Sequence, residues 1–262
     1  MIGIPFILDG VASEVYDASI VSINNNSVYK QESGSGNEFV TDTNPRSAEL
    51  LLLGASQFPV LSFEIDVICD DAVDIFKFVT IKDWLFGSNQ YRNLQLCIDD
   101  FDNFHFECQI QADSDYIFMD GYRGVHCKVV CNSSFAWTSL KTKTYSSVSI
   151  HDTNVFDNLS ADNNGIMPIV EFKITKGEDF KIVNKSLNNL SFEWSDLQNN
   201  EIITCDCKNA IITSSTGLTR VNNFNKTFLK FKKGRNQLEF WGNVDYIKFK
   251  YRNAVRLGGG MY

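Results

Sequence analysis

Between Leu61 and Val67 apolar and polar residues alternate without a break, with Leu61, Phe63, Ile65 and Val67 on one side of an extended chain and Ser62, Glu64 and Asp66 on the other. Successive side chains of a strand point to opposite faces, so this pattern specifies a strand half buried against a core. It returns at Leu94, Leu96 and Ile98, at Phe104, Phe106 and Cys108, and at Val125, Cys127 and Val129. One stretch favours a helix instead. Val73, Phe76, Phe78, Val79, Ile81, Trp84 and Leu85 recur mostly three and four residues apart, with Asp70 or Asp71 to cap the start and Gly87 to end it, which predicts a helix over about 70–86. Many strands and one helix predict a mainly β chain whose N-terminal part is a β-sandwich carrying that helix.

The flanking segments read as follows. Ile4, Phe6 and Leu8 form a strand, Asp9-Gly10 a turn, Ala18 to Ile23 a further extended piece, and Asn25-Asn26 another turn. Tyr29 to Ser47 is polar, with Ser33-Gly34-Ser35-Gly36 and Asn44-Pro45, and reads as a surface loop or a long arm. Lys141 to Ser147 is polar and weakly patterned, and the domain boundary is placed there, giving residues 1–145 and 146–262. Short strands follow at close intervals: Ile169 to Ile174, Phe180 to Val183, Leu190 to Trp194, Glu201 to Cys207, Ala210 to Thr213, Thr227 to Phe231, Asn236 to Trp241 and Tyr246 to Tyr251. Such spacing predicts a second all-β sandwich.

The 262 residues suffice for two domains, and a hydrophobic fraction of 44% with 21 Phe against 4 Pro argues against large-scale disorder. A net charge of -8 opposes a broad nucleic-acid surface, which needs clustered Lys and Arg; specific nucleic-acid binding is not expected. Seven cysteines, an odd number set among apolar residues, read as reduced thiols. Ile2 to Leu8 is too short and lacks a basic leader for a signal peptide, and no run reaches the ~18 apolar residues of a membrane span, so a product without membrane anchor, made in a cytoplasm, is expected.

The N-terminal order carries a resemblance: a strand, a helix ending Trp84-Leu85-Phe86, a short strand running into Ile98-Asp99-Asp100, an aromatic strand, then Gly124-Val125-His126-Cys127-Lys128-Val129-Val130-Cys131 leading to Phe135-Ala136-Trp137. It resembles the N-terminal domain of the distal tail proteins of long-tailed bacteriophages. The C-terminal half is similar to their galectin-like domain through Asn163-Asn164-Gly165 before Pro168-Ile169-Val170-Glu171-Phe172, Lys181-Ile182-Val183-Asn184, Ile202-Ile203-Thr204-Cys205-Asp206, and Phe228-Leu229-Lys230-Phe231 before Lys233-Gly234-Arg235-Asn236-Gln237-Leu238. Lys233 stands where the family often has Pro. The resemblance implies a homo-oligomer, a hexameric ring built by the N-terminal domains, sitting at the distal end of the virion tail. Its partners would be the tail tube protein, the tail-tip hub and receptor-binding proteins. Hairpins in the Tyr29 to Ser47 region would hold neighbouring subunits together. A structural role without enzymatic activity follows.

Residues that carry chemistry elsewhere have plainer readings here. Cys205 and Cys207 share a strand face and His126, Cys127 and Cys131 lie close in sequence, but no paired CxxC set completes a zinc site, so buried thiols are expected. Asp99, Asp100, Asp102 and Asn103, and Asp113, Asp115 and Asp120, lack the Gly and distal Glu of a calcium loop and read as acidic turns. His105, His126 and His151 have no nucleophile elbow beside them, and Gly258-Gly259-Gly260 reads as a terminal tail rather than a phosphate loop. Neither catalytic, metal nor cofactor residues are assigned, and no cofactor is expected. Trp194, Trp241, Tyr246 and Tyr251 read as core or interface residues; the alternative is a carbohydrate-binding module for surface glycans, and its mark would be Trp194 or Trp241 exposed beside convergent polar groups. The sugar-binding set of galectins does not transfer onto this chain.

Overall fold

The computed structural model describes residues 3–23, 39–43, 50–55, 60–69, 74–98, 103–117, 122–148, 151–177 and 179–256. Two compact units emerge, one formed mainly by the chain up to Trp137, the other by Thr138–Val255. The Asn25-Asn26 turn, Asp70, Asp71, the acidic turn at Asp99 to Asp102, Asp120 and Gly258 to Gly260 lie outside the described residues.

In the first unit β1 (Phe6–Leu8) turns through Asp9 and Gly10, both at positive φ (51° and 81°), into β2 (Val11–Ala12). A 3-10 turn at Ser13–Tyr16 leads to β3 (Ala18–Ile23). The segment read as a loop or arm contains β4 (Phe39–Thr43), which pairs antiparallel with β5 (Leu50–Ala55) as a separate two-stranded sheet. Then come β6 (Ser62–Cys69), α1 (Ile75–Phe86), β7 (Arg92–Leu96), β8 (Phe104–Ile117), β9 (Arg123–Cys131) and β10 (Ala136–Thr138). The large sheet runs β2-β1-β7-β8-β9-β6-β3. It curls far enough for Ile20 of β3 to bridge Ile4, just before β1, with paired hydrogen bonds of 2.7 and 2.9 Å. Phe63, Ile65, Val67, Leu94, Phe106, Val125 and Cys127, the alternating residues of the sequence, are its buried face.

The helix begins later than the sequence predicts. Asp74 has extended backbone (φ -68°, ψ 167°), and its carboxylate accepts from the Lys77 N–H at 2.8 Å, fixing the first turn there. Gly87 ends it by donating to the Asp83 carbonyl at 2.8 Å. Phe78, Ile81 and Leu85 are buried, and Trp84 stacks on Tyr16 (4.5 Å) and Phe6 (5.5 Å).

The second unit is a sandwich of two antiparallel sheets. One comprises β11 (Lys141–Val148), β13 (Ile169–Ile174), β16 (Ile202–Asp206), β17 (Ile211–Ser214) and β19 (Val244–Tyr251), in the order β11-β19-β13-β16-β17. The other comprises β12 (His151–Asn158), β14 (Phe180–Asn184), β15 (Leu190–Trp194) and β18 (Gly234–Trp241), ordered β12-β18-β14-β15. Aromatic rings fill the space between them: Phe172 stacks on Phe180 at 4.2 Å, and Tyr145 meets Phe240 edge-on at 5.1 Å. The polar stretch Lys141 to Ser147 is thus a strand, held by seven-residue pairing with β19 and by the burial of Tyr145.

The expected strand at Thr227 to Phe231 does not form; only Phe231 bridges Ile166. Leu229 and Phe231 are buried as a strand would bury them, but the carbonyls around them are taken by asparagine side chains. Asn184 donates to Lys230 O (2.9 Å), Asn158 to Phe231 O (3.2 Å) and Lys232 O (3.1 Å), and Asn236 to Lys232 O (2.8 Å) and Gly234 O (2.9 Å). Gly165 lies against the same segment at φ +84°, where a Cβ would run into the Phe231 carbonyl.

Candidate interaction surfaces

The residues weighed for chemistry are mostly internal. Cys69, Cys108, Cys127, Cys131, Cys205 and Cys207 are buried and Cys97 is exposed. Burial pushes the Cys127 and Cys131 thiols up to about 12, so both stay protonated and unreactive at neutral pH. Among the described residues no group of three or more His, Cys, Asp or Glu is placed to hold a metal ion, and no helix is long and apolar enough to cross a membrane. Asp115 of the second acidic run pairs with Lys82 at 2.8 Å.

His126 sits on the outward face of the large sheet, directly opposite Asp66 on β6 and Ser114 on β8. Its Nδ1 lies 2.7 Å from Asp66 Oδ1 and its Nε2 3.6 Å from Glu64 Oε2; Tyr116 donates to the same Asp66 oxygen at 3.3 Å. The hydrogen bond to Asp66 raises the His126 pKa, with burial opposing and the charges of Asp66, Glu64 and Asp113 adding to the rise. The three acidic groups around a single imidazole make this a charge cluster.

Two exposed surfaces stand out among the described residues. On α1, Ile75, Phe76 and Val79 face solvent, Phe76 with 81% of its surface exposed. Val15, also exposed, belongs to the 3-10 turn that packs on the helix through Tyr16 and Trp84 and through a 2.6 Å Lys77–Asp17 ion pair. Helical periodicity places Phe78 and Ile81 inward and leaves Phe76 and Val79 outward, so the apolar spread read in the sequence splits between the core and an uncovered face.

The other surface is the outer face of the four-stranded sheet. Pairing aligns His151, Trp241, Lys181 and Glu193 in one row across β12, β18, β14 and β15. The next row holds Thr153, Glu239, Val183 and Ser191. Trp241 is 42% exposed and stacks on His151 with ring centroids 4.0 Å apart, whereas Trp194 is buried at 2% in the core. Lys181 pairs with Glu193 (2.8 Å) and Lys185 with Glu239 (3.1 Å). Trp241, Lys181, Lys185 and Glu239, together with Asp179, Val183, Asn189 and Ser191, border an open depression of about 500 Å³. Thus the mark set for a glycan site is met by Trp241 and not by Trp194. Tyr251 packs partly buried against the core, and Tyr246 donates to Glu171 at 3.1 Å on the opposite sheet.

Compared with known proteins, residues 1–133 match the profile of a family described as phage tail protein N-terminal domain, and residues 135–251 that of a phage tail C-terminal domain. No curated protein matches the chain. Among solved structures, the fold is similar to the crystal structure of the phage SPP1 Dit protein, described as a paradigm of the hub adsorption apparatus in phages that infect Gram-positive bacteria. The identity is 12%, the TM-score 0.66, and the match covers 95% of this chain and 98% of that one. The resemblance drawn from the sequence is borne out in both halves.

Proposed function

Because the chain belongs to a family of phage tail proteins, whose N-terminal domain profile spans residues 1–133, we propose that it is a structural, non-enzymatic ring component at the distal end of the virion tail. Subunits close into a hexamer through the N-terminal unit, one face of the ring docks on the tail tube and the other on the tail-tip hub, and the C-terminal sandwiches carry receptor-binding proteins. Likeness in fold to SPP1 Dit, a hub adsorption protein, supports this reading.

The observation that carries it is the uncovered apolar face of α1. A phenylalanine 81% exposed beside Ile75 and Val79 is a poor surface for a lone subunit and a good one for a contact that a neighbour completes. In a head-to-tail ring each such patch meets a different patch on the next copy until rotation closes the circle. Light scattering and electron microscopy of the purified chain test this. A ring with a central hole is expected, and Phe76→Asp is expected to leave a folded monomer by circular dichroism. A ring that forms unchanged in Phe76→Asp removes α1 from the contact; a wild-type chain monomeric up to its solubility limit overturns the self-closing ring.

A further inference from the structure

We propose that the outer face of the β12-β18-β14-β15 sheet is a binding site for a neutral saccharide, with Trp241 as its stacking platform. The inference stands apart from the ring, since it concerns only the C-terminal unit.

Trp241 is not exposed by accident of a flexible tip. It lies within β18, paired to His151 on one side and Lys181 on the other, and the His151 ring packed 4.0 Å from it limits its swing. A large planar ring so held offers an apolar plane at little entropic cost. Beside it the depression of about 500 Å³ has Val183 as its buried apolar floor. A second, of about 310 Å³, adjoins it and shares Lys185 and Glu239, extending the site along the strands past Thr153, Val155 and Gln237. The face is therefore a groove rather than a single pit.

The polar groups define the ligand class. Among the lining residues Lys181 and Lys185 are balanced by Asp179 and Glu239, so the groove selects neither an anion nor a cation. It does present donors and acceptors side by side: the two ammonium groups, the carboxylates, the Ser191 hydroxyl and the Asn189 amide. An aromatic plane flanked by alternating donors and acceptors matches a pyranose, which has an apolar C–H face and a rim of hydroxyls that both give and accept. Peptide addition at the β15 edge is disfavoured because that edge is already used: Ser195 N–H bonds to Asn223 O and Asn225 N–H to Glu193 O, at 2.9 and 3.0 Å. An amphipathic helix would find few apolar contacts, chiefly Trp241, Val183 and Val155.

The test is a printed glycan array probed with the full chain, followed by titration of glucose, galactose, N-acetylglucosamine and the best array ligand by tryptophan fluorescence and by amide shifts in NMR. Saturable binding is expected, with shifts confined to β14, β15 and β18, no weakening in high salt, and about a tenfold loss in Trp241→Ala, the size of a lost aromatic contact. Trp241→Phe should retain part of the affinity, which separates stacking from a folding defect. Absence of binding across the array overturns the proposal. So does binding that survives Trp241→Ala, or that moves to inorganic phosphate and falls with salt.

Discussion

The environment of His126 makes its protonation a stability term. Its folded pKa lies above the ordinary value of 6.5 because its ring donates to Asp66 beside Glu64. A raised pKa means the folded state holds the proton more tightly, so the stabilisation is fully present below pH 6.5 and is lost as pH rises through the folded pKa. The difference in melting temperature between wild type and His126→Ala is therefore expected to narrow as pH is raised from about 6 to about 9. A constant difference in calorimetry across that range would show that the imidazole contributes through packing alone. The sequence placed His126 in a strand but not beside Asp66, because register between strands far apart in the chain leaves no local mark. The two tryptophans differ in this respect. Phe192 and Trp194 flank Glu193 and share the inward face, while Leu238 and Phe240 flank Glu239, so period two sends Trp241 outward. That signal was in the sequence, although only the folded sheet shows which polar groups converge on the ring.

Among the elements, strands with apolar alternation were legible and those without it were not. β12 is not legible because His151, Asp152, Thr153 and Asn154 are polar and the first three exposed; its partner β18 and the buried Phe156 make it a strand. The opposite error occurred at Thr227 to Phe231, where buried Leu229 and Phe231 imitate alternation but three asparagines hold the backbone. Asn236 is the centre of that arrangement, with its Oδ1 accepting from Lys232 N–H and Asn184 Nδ2, both at 3.0 Å. Asn236→Ala strips several buried partners at once and is expected to destabilise the unit by about 3 kcal/mol, measured by urea unfolding. A loss below about 0.5 kcal/mol would mean that water replaces the side chain at no cost.

At the scale of the molecule, the second unit has its own aromatic core, running from Tyr145 through Phe172, Phe240 and Phe249. A core of that kind supports independent folding, so residues 138–255 expressed alone are expected to unfold cooperatively with dispersed NMR signals. A non-cooperative melt would show that this core needs the rest of the chain. The mainly β class and both halves of the family resemblance were readable because they rest on element order, which the linear chain preserves. The curl of the first sheet was not readable, since Ile4 and Ile20 meet only after the intervening strands have turned the sheet round. That meeting bears on the life of the subunit before it is built into a particle. An open row of backbone N–H and C=O groups at a sheet edge pairs readily with another copy and can nucleate fibres. The Ile4–Ile20 bridge takes up part of the free edge of β3 and so shortens the row that another copy could pair with.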